Sequence, residues 1–168
     1  IEEKKYSKSF LDNNKSRINI SLLLPLYALL NDTLISVSDN LNDSQDIIYP
    51  KSEIALSFFN GVELALDSLE KLGKKISLKV FDTENNLNTV QNIIDSKKID
   101  DSDIIIGPLY SKNLNLVSDY YGNDPKKIII SPLSRNSKFI YKNPSVYQVN
   151  SPFMVQAEKI TDFVLSEY

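Results

Sequence analysis

The stretch Asp103-Ile104-Ile105-Ile106-Gly107-Pro108-Leu109-Tyr110-Ser111 constrains the fold of this chain more than any other. Three consecutive isoleucines predict a strand covered on both faces, as in the middle of a parallel sheet. Gly107-Pro108 stops that strand, and Ser111 reads as the N-cap of the helical pattern that follows. A buried strand, a tight turn and a helix start place backbone N–H groups at the carboxyl edge of a sheet. In open α/β sheets ligands bind at that edge.

The flanking chain supports such a sheet. Ile18–Leu24 predicts a first strong strand that ends at Pro25. Tyr27 to Ser38 is mildly apolar and reads as a short helix or strand, and Asp39 to Ser52 is an Asn/Asp/Ser-rich mobile loop. Glu53 to Leu72 is the clearest helix. Ile54, Phe58, Val62, Ala65, Leu69 and Leu72 form its expected apolar stripe, Gly73 its C′ residue, and Gly61 a point of close helix–sheet packing.

Ile76, Leu78 and Val80 alternate with Ser77 and Lys79, as in a half-exposed strand near a sheet edge. Leu87, Val90, Ile93 and Ile94 mark a shorter helix. After the isoleucine strand, Leu114, Val117 and Tyr121 give another, closed by Gly122 and Pro125. Lys127–Ser131 and Val146–Val149 are two more strands. Ser151-Pro152 opens a last helix carrying Ala157, Ile160 and Val164.

This alternation predicts an α/β fold, a doubly wound parallel sheet with flavodoxin-like strand order 2-1-3-4(-5). Residues 1–17 are polar without period and read as a linker or tail. Residues 18–150 form the α/β unit, and 151–168 the helix leaving it.

Composition excludes several chemistries. The 168 residues carry a formal net charge of −3 with pI about 5.0, which disfavours a nucleic-acid partner. There is no cysteine, hence no disulfide, thiol nucleophile or Cys-based zinc site within these residues, and no histidine, hence no serine–histidine hydrolase chemistry. No cofactor or metal site is expected. Asp39, Asn42, Asp43 and Asp46 lack the glycine and terminal glutamate of a calcium loop, and Asp100, Asp101 and Asp103 read as a solvated turn opposite the cleft. No apolar run approaches the ~20 residues that cross a bilayer. No signal peptide is present and the chain begins without methionine, which reads as a processed or excised piece.

In the order 2-1-3-4 the switch point lies between the first and third strands. It gathers Pro25 to Ser52, Asp82 to Asn85, Gly107 to Ser111 and Ser131 to Asn136 around one cleft. The candidate ligand-binding residues are Pro25, Thr83, Tyr110, Ser111, Ser131, Ser134 and Arg135. Ser111 is a helix cap, a ligand contact, or both. Arg135 is either a bidentate clamp for carboxylate or phosphate or one half of a surface ion pair. Tyr110, Tyr120 and Tyr121 are read both as stacking surfaces and as packing.

Four segments, taken in order, resemble the type I periplasmic binding protein superfamily, which includes branched-chain amino-acid receptors. They are Ile18 to Leu26, Asn60-Gly61-Val62-Glu63-Leu64-Ala65, Ile104 to Ser111, and Ile128-Ile129-Ile130-Ser131-Pro132; Tyr147 to Ala157 resembles the passage towards a second lobe. The resemblance implies a non-catalytic, extracytoplasmic receptor whose ligand sits between two hinged lobes. This chain supplies the N-terminal lobe and the second lobe is missing. The resemblance also aligns Ser111 with a hydroxyl that contacts ligand carboxylate. Leu133 and Arg135 stand where amino-acid receptors carry small or hydroxylated residues.

Asp82-Thr83 and the Ile-Gly-Pro-Leu-Tyr-Ser wording resemble one branch of that superfamily, with envelope lipoproteins that activate penicillin-binding proteins and domains fused to LysM modules. That branch implies a periplasmic, peptidoglycan-associated location and an outer-membrane anchor through a missing N-terminal region. The expected partner is a small polar ligand (amino acid, peptide or muropeptide). The alternative is a cell-wall or outer-membrane protein docking on the same fold, presented by the 27–52 insertion. Flavodoxin-like and phosphoacceptor readings share the topology but lack a phosphate-binding Gly-rich loop and an acidic pair after the first strand.

Overall fold

Five short segments rich in β-branched and leucine side chains pair into one all-parallel sheet of order β2-β1-β3-β4-β5. They are β1 (Ile18–Leu24), β2 (Ile76–Asp82), β3 (Ile104–Ile106), β4 (Ile128–Ser131) and β5 (Val146–Gln148). The structure, a computed structural model, describes residues 17–40, 48–136 and 138–167. The expected tail falls outside these residues apart from Arg17, as does the middle of the Asp39–Ser52 loop. The predicted strand order is the observed one.

The helices are α1 (Ala28–Asn40), α2 (Glu53–Lys71), α3 (Leu87–Asp95), α4 (Ser111–Tyr121), α5 (Lys138–Lys142) and α6 (Phe153–Glu167). Tyr27–Ser38, left open between helix and strand, is helix α1, and α5 had no counterpart in the sequence reading.

Strand periodicity divides the core in two. Leu23, Ile105 and Ile129 point to one face, where Val90 and Ile94 of α3 and Leu114, Val117 and Tyr121 of α4 cover them. Leu22 and Leu24 point to the other, against Ala55, Phe58, Phe59 and Val62 of α2, with Leu109 completing the cluster. The second face is thinner. Ile105 is fully buried, but Ile104 and Ile106 are only half-buried, so the isoleucine strand is not equally covered on both sides as expected.

The reason lies in α2. Its predicted apolar stripe holds in part: Phe58 and Val62 pack inwards, but Ile54 is 56% exposed and Leu72 74%, and Ala65 and Leu69 are exposed as well. Ala55, Phe59, Val62 and Leu66 satisfy the same three-and-four spacing, and it is this rotated set that faces inwards. Gly61 is exposed, and a Cβ there would meet nothing within 4 Å, so it makes no close packing against the sheet.

The end of α2 follows its sequence signal. Gly73 has φ +75, its N–H donates to Glu70 O at 2.8 Å and Lys74 N–H donates to Leu69 O at 3.0 Å, a Schellman closure.

At the amino edge the acidic turn is tied down, not simply solvated. Asp103 accepts the Asn19 N–H at 2.8 Å, Asp101 pairs with Lys79 at 2.8 Å, and Asp100 accepts the Tyr121 hydroxyl at 2.5 Å. Lys127 is 5% exposed and donates to the carbonyls of Asp100 (2.6 Å) and Ser102 (3.1 Å), with its ammonium 5.2 Å from the Tyr121 ring centre.

Candidate functional site

The carboxyl edge is built from the turns that leave β1, β2, β3 and β4. After β3 the chain must turn at once, because β1 lies alongside. Gly107 takes φ +89, and a Cβ there would sit 2.4 Å from Leu23 O, so no side chain fits. Gly107 N–H continues the ladder to Ile130 O at 2.9 Å, and the following Gly107-Pro108 peptide is cis.

This turn delivers Ser111, though not as the expected cap. The N-cap is Tyr110 (φ −96, ψ 137), which makes no side-chain cap bond, and Ser111 is the first helical residue. Its hydroxyl instead lies 3.1 Å from Ser134 Oγ in the turn after β4. A side chain at the first helical position tilts towards the helix N-terminus and past the first turn, which sets Ser111 towards the turn after β4.

Ser134 is a junction. Its Oγ also accepts the Asn136 N–H at 3.1 Å, and its carbonyl accepts from Gln148 Nε2 at the end of β5. Asn150 Nδ2 holds the same turn through Leu133 O at 3.0 Å.

Two further candidates are fully buried: Thr83, just past β2, and Ser131, at the end of β4. Thr83 Oγ1, Ser131 Oγ and Gln148 Oε1 have no hydrogen-bond partner among the described residues. Such orphaned polar atoms carry a penalty of about 1–3 kcal/mol each in a dry site, and they call for a partner.

Pro25 is buried at the end of β1 and Tyr110 is 39% exposed beside the site. Arg135 is exposed and forms no ion pair with a described residue, so the surface-pair reading finds no partner here. Leu133 stands 42% exposed next to it. Tyr120 and Tyr121 do not join the site. Tyr121 is buried in the core, with its hydroxyl on Asp100 at the opposite edge, and Tyr120 packs edge-on against it with ring centres 4.7 Å apart.

Sequence reasoning placed Asn85 only as the end of the Asp82–Asn85 lining and did not single out Asn113 or Gln148. Asn113 is 1% exposed, and its Nδ2 donates to Asn85 Oδ1 at 3.3 Å. Asn85 (φ 49) and Glu84 (φ 48) both adopt the left-handed region in the turn after β2. With Asn86, Asn88 and Lys112 they line an open cleft of about 560 Å³. The available signal was Asn113 itself, a polar residue at a position of α4 that faces inwards. A groove of about 470 Å³ at the amino edge, lined by Arg17, Leu66, Glu70, Lys75 and Leu78 among others, shares none of the site residues.

Asp82 organises the β1 side. Its carboxylate accepts the N–H groups of Leu26 (2.9 Å), Ala28 (2.8 Å) and Glu84 (2.9 Å), so one side chain fixes the turns after both β1 and β2. Asn31 then ties the insertion down: its Oδ1 accepts Tyr49 N–H at 2.7 Å, and its Nδ2 donates to Leu26 O at 2.9 Å.

No family model matches the chain, and no curated protein matches it in sequence. Among solved structures it is similar to an ABC transporter substrate-binding protein from Desulfitobacterium hafniense, at 14% identity and TM-score 0.52, over 90% of this chain and 39% of that one. The fold is that of one part of this substrate-binding protein. A substrate-binding protein of the same organism in complex with Leu is 15% identical with TM-score 0.50, over the same 90% and 39%. Full-length LpoA from Haemophilus influenzae is 21% identical over 79% of this chain and 19% of that one, with TM-score 0.34. The chain thus spans 39% of the length of the Desulfitobacterium proteins, and the likeness at these identities is one of fold alone.

Among the described residues no helix is long and apolar enough to cross a membrane, and no group of three or more His, Cys, Asp or Glu is placed to hold a metal ion.

Proposed function

We propose that this chain is the N-terminal, ligand-binding lobe of an extracytoplasmic receptor without catalytic activity, and that it binds a small polar or anionic molecule at the carboxyl edge. One observation carries the reading: the Ser111–Ser134 hydroxyl pair stands on the same edge as the buried oxygens of Thr83 and Ser131, which have no partner among the described residues. Hydroxyls and the N–H groups at the start of α4 together favour a carboxylate or similar acceptor-rich group. Pro25, Tyr110 and the exposed Arg135 stand on the turns of the same edge.

The proposal extends to the end of the chain. Helix α6 buries none of its residues, and Phe153, Met154, Ile160, Phe163 and Leu165 are each at least 64% exposed. We assign it to the passage into a second lobe, whose sheet covers these side chains.

A thermal-shift screen of the full-length protein against free amino acids and muropeptides tests the reading. It predicts a stabilising compound whose effect is lost in the Ser111→Ala/Ser134→Ala variant. A screen with no hit, or a hit indifferent to those serines, contradicts it.

A second reading, a cell-envelope interaction module on the same fold, rests on α1, where Leu29 is 72% exposed, Leu30 45% and Ile35 43%. It predicts that Leu29→Asp abolishes co-sedimentation with peptidoglycan sacculi or with an outer-membrane fraction. Unchanged co-sedimentation rules out that role for α1.

A further inference from the structure

The turn after β2 and the first turn of α4 line the open cleft of about 560 Å³, a volume inside the range of about 300–1,000 Å³ typical of small-molecule sites. Ser111, Ser134, Thr83 and Ser131 are not among the residues that line it. Four of its seven lining residues are asparagines, so amides dominate its chemistry.

Asn113 is the buried one, at 1% exposure. Its Nδ2 donates to Asn85 Oδ1 at 3.3 Å, and its Oδ1 receives no donor from the described residues. A carbonyl oxygen left open in a cleft wall calls for an O–H or N–H from the occupant. Asn86 Oδ1 accepts the Asn88 N–H at 2.8 Å as the N-cap of α3, which fixes the amide plane and keeps Nδ2 outside the capping bond.

The turn presets these groups. Glu84 and Asn85 stand one after the other in the left-handed region, at φ 48 and 49, a costly arrangement that persists only where its surroundings hold it. Two hydrogen bonds do so: Asp82 accepts the Glu84 N–H at 2.9 Å, and Thr83 O accepts the Asn86 N–H at 2.8 Å.

The charges in the lining oppose each other. Lys112 and the start of α4, which has no side-chain cap, draw negative charge, and Glu84 repels it. The amides act without regard to charge. Each offers two donors and one acceptor, a set that matches hydroxyl groups, which both give and accept hydrogen bonds. Leu87, 47% exposed, is the apolar member of the lining.

We propose that this cleft binds a neutral saccharide, with the amides of Asn85, Asn86, Asn88 and Asn113 on its hydroxyl groups and Leu87 against the C–H face of a ring. The site is separate from the Ser111–Ser134 pair and does not rest on the binding-lobe reading.

A nitrogen-15 NMR titration of the full chain with cellobiose, N,N′-diacetylchitobiose, sodium phosphate and free leucine tests this. At least one of the two disaccharides is expected to shift the side-chain amides of Asn86, Asn88 and Asn113, and to bind at least tenfold more tightly than phosphate. Asn113→Leu removes the buried amide and is expected to weaken that binding at least tenfold. Asn88 and Lys112 are exposed, so Asn88→Ala and Lys112→Ala test the cleft without disturbing the core. Each is expected to weaken the disaccharide at least threefold with the melting temperature unchanged.

No shift with either disaccharide, phosphate binding more tightly than both, or disaccharide binding indifferent to Asn88→Ala and Lys112→Ala overturns the saccharide site. Disaccharide binding that is lost in Ser111→Ala/Ser134→Ala overturns it as a separate site, and binding that persists there supports it. Leucine binding that needs those serines, without disaccharide binding, overturns the saccharide site and leaves the binding-lobe reading intact.

Discussion

Ser111 Oγ and Ser134 Oγ lie 3.1 Å apart and join the turn after β3 to the turn after β4, a link across 23 residues of sequence. Ser111 is the first residue of α4 and makes no cap bond, so the hydroxyl's described contact is with Ser134. A double-mutant cycle with Ser111→Ala and Ser134→Ala should therefore return a coupling of about 0.5–1.5 kcal/mol in urea denaturation. Additive losses would mean that the two serines act separately.

Gly107 and Gly61 make opposite predictions. Gly107→Ala must place a Cβ on Leu23 O at a φ of +89, and is expected to destabilise the chain by more than about 3 kcal/mol. Gly61→Ala fills open space inside α2 and should stabilise by roughly 0.5–1 kcal/mol. Thermal denaturation of the two variants reads both signs at once. A neutral Gly107→Ala would show that the turn after β3 is not the one described.

Lys127 holds the amino edge through the carbonyls of Asp100 and Ser102 and lies over the Tyr121 ring. Lys127→Met keeps the stem's volume but leaves the part-buried carbonyl of Asp100 and the buried carbonyl of Ser102 short of a donor, for a loss of about 1–3 kcal/mol. Hydrogen exchange should localise the change to residues 99–103. A variant as stable as the parent would mean that the ammonium contributes nothing net.

Tyr121 makes stability depend on alkaline pH. Burial and the Asp100 carboxylate raise its pKa above the ordinary 10.0, so the folded state holds the phenol proton more tightly than the unfolded state. The resulting stability is complete below pH 10 and is lost as pH rises above that value towards the folded-state pKa. Tyr121→Phe removes this term. Its stability relative to the parent, measured by urea denaturation from pH 8 to pH 11, should improve as pH rises; a constant difference would contradict the assignment.

Much of the fold was legible because local chemistry and long-range packing agree. Ile18–Leu24, Ile104–Ile106 and Ile128–Ser131 are strands by β-branched and leucine content, and the alternation with helices dictates a parallel sheet. The α2 stripe was misread because apolar residues lie on more than one side of that helix, and periodicity alone does not choose between Ile54–Leu69 and Ala55–Leu66.

The site was legible only in outline. Ser111 was placed at the correct turn, but a shift of one residue moved it from cap to cross-edge partner. Asn113 went unremarked because burial of a polar side chain is a tertiary fact. Tyr49 and Tyr27 are 22 positions apart, and their edge-to-face contact forms where Asn31 holds Tyr49 and Asp82 holds Ala28.

The central claim, that the carboxyl edge binds a small molecule, is tested most directly by a nitrogen-15 NMR titration of the full-length protein. Free amino acids and muropeptides would be added in turn, following the backbone amides from Gly107 to Lys112 and the side-chain amides of Asn85, Asn113 and Gln148. The account predicts that at least one compound shifts this set while the amides around Lys127 and Asp101 stay still, and that Ser111→Ala/Ser134→Ala suppresses the shifts. Saturating compound with no movement at the carboxyl edge, or movement confined to the amino edge, would contradict it.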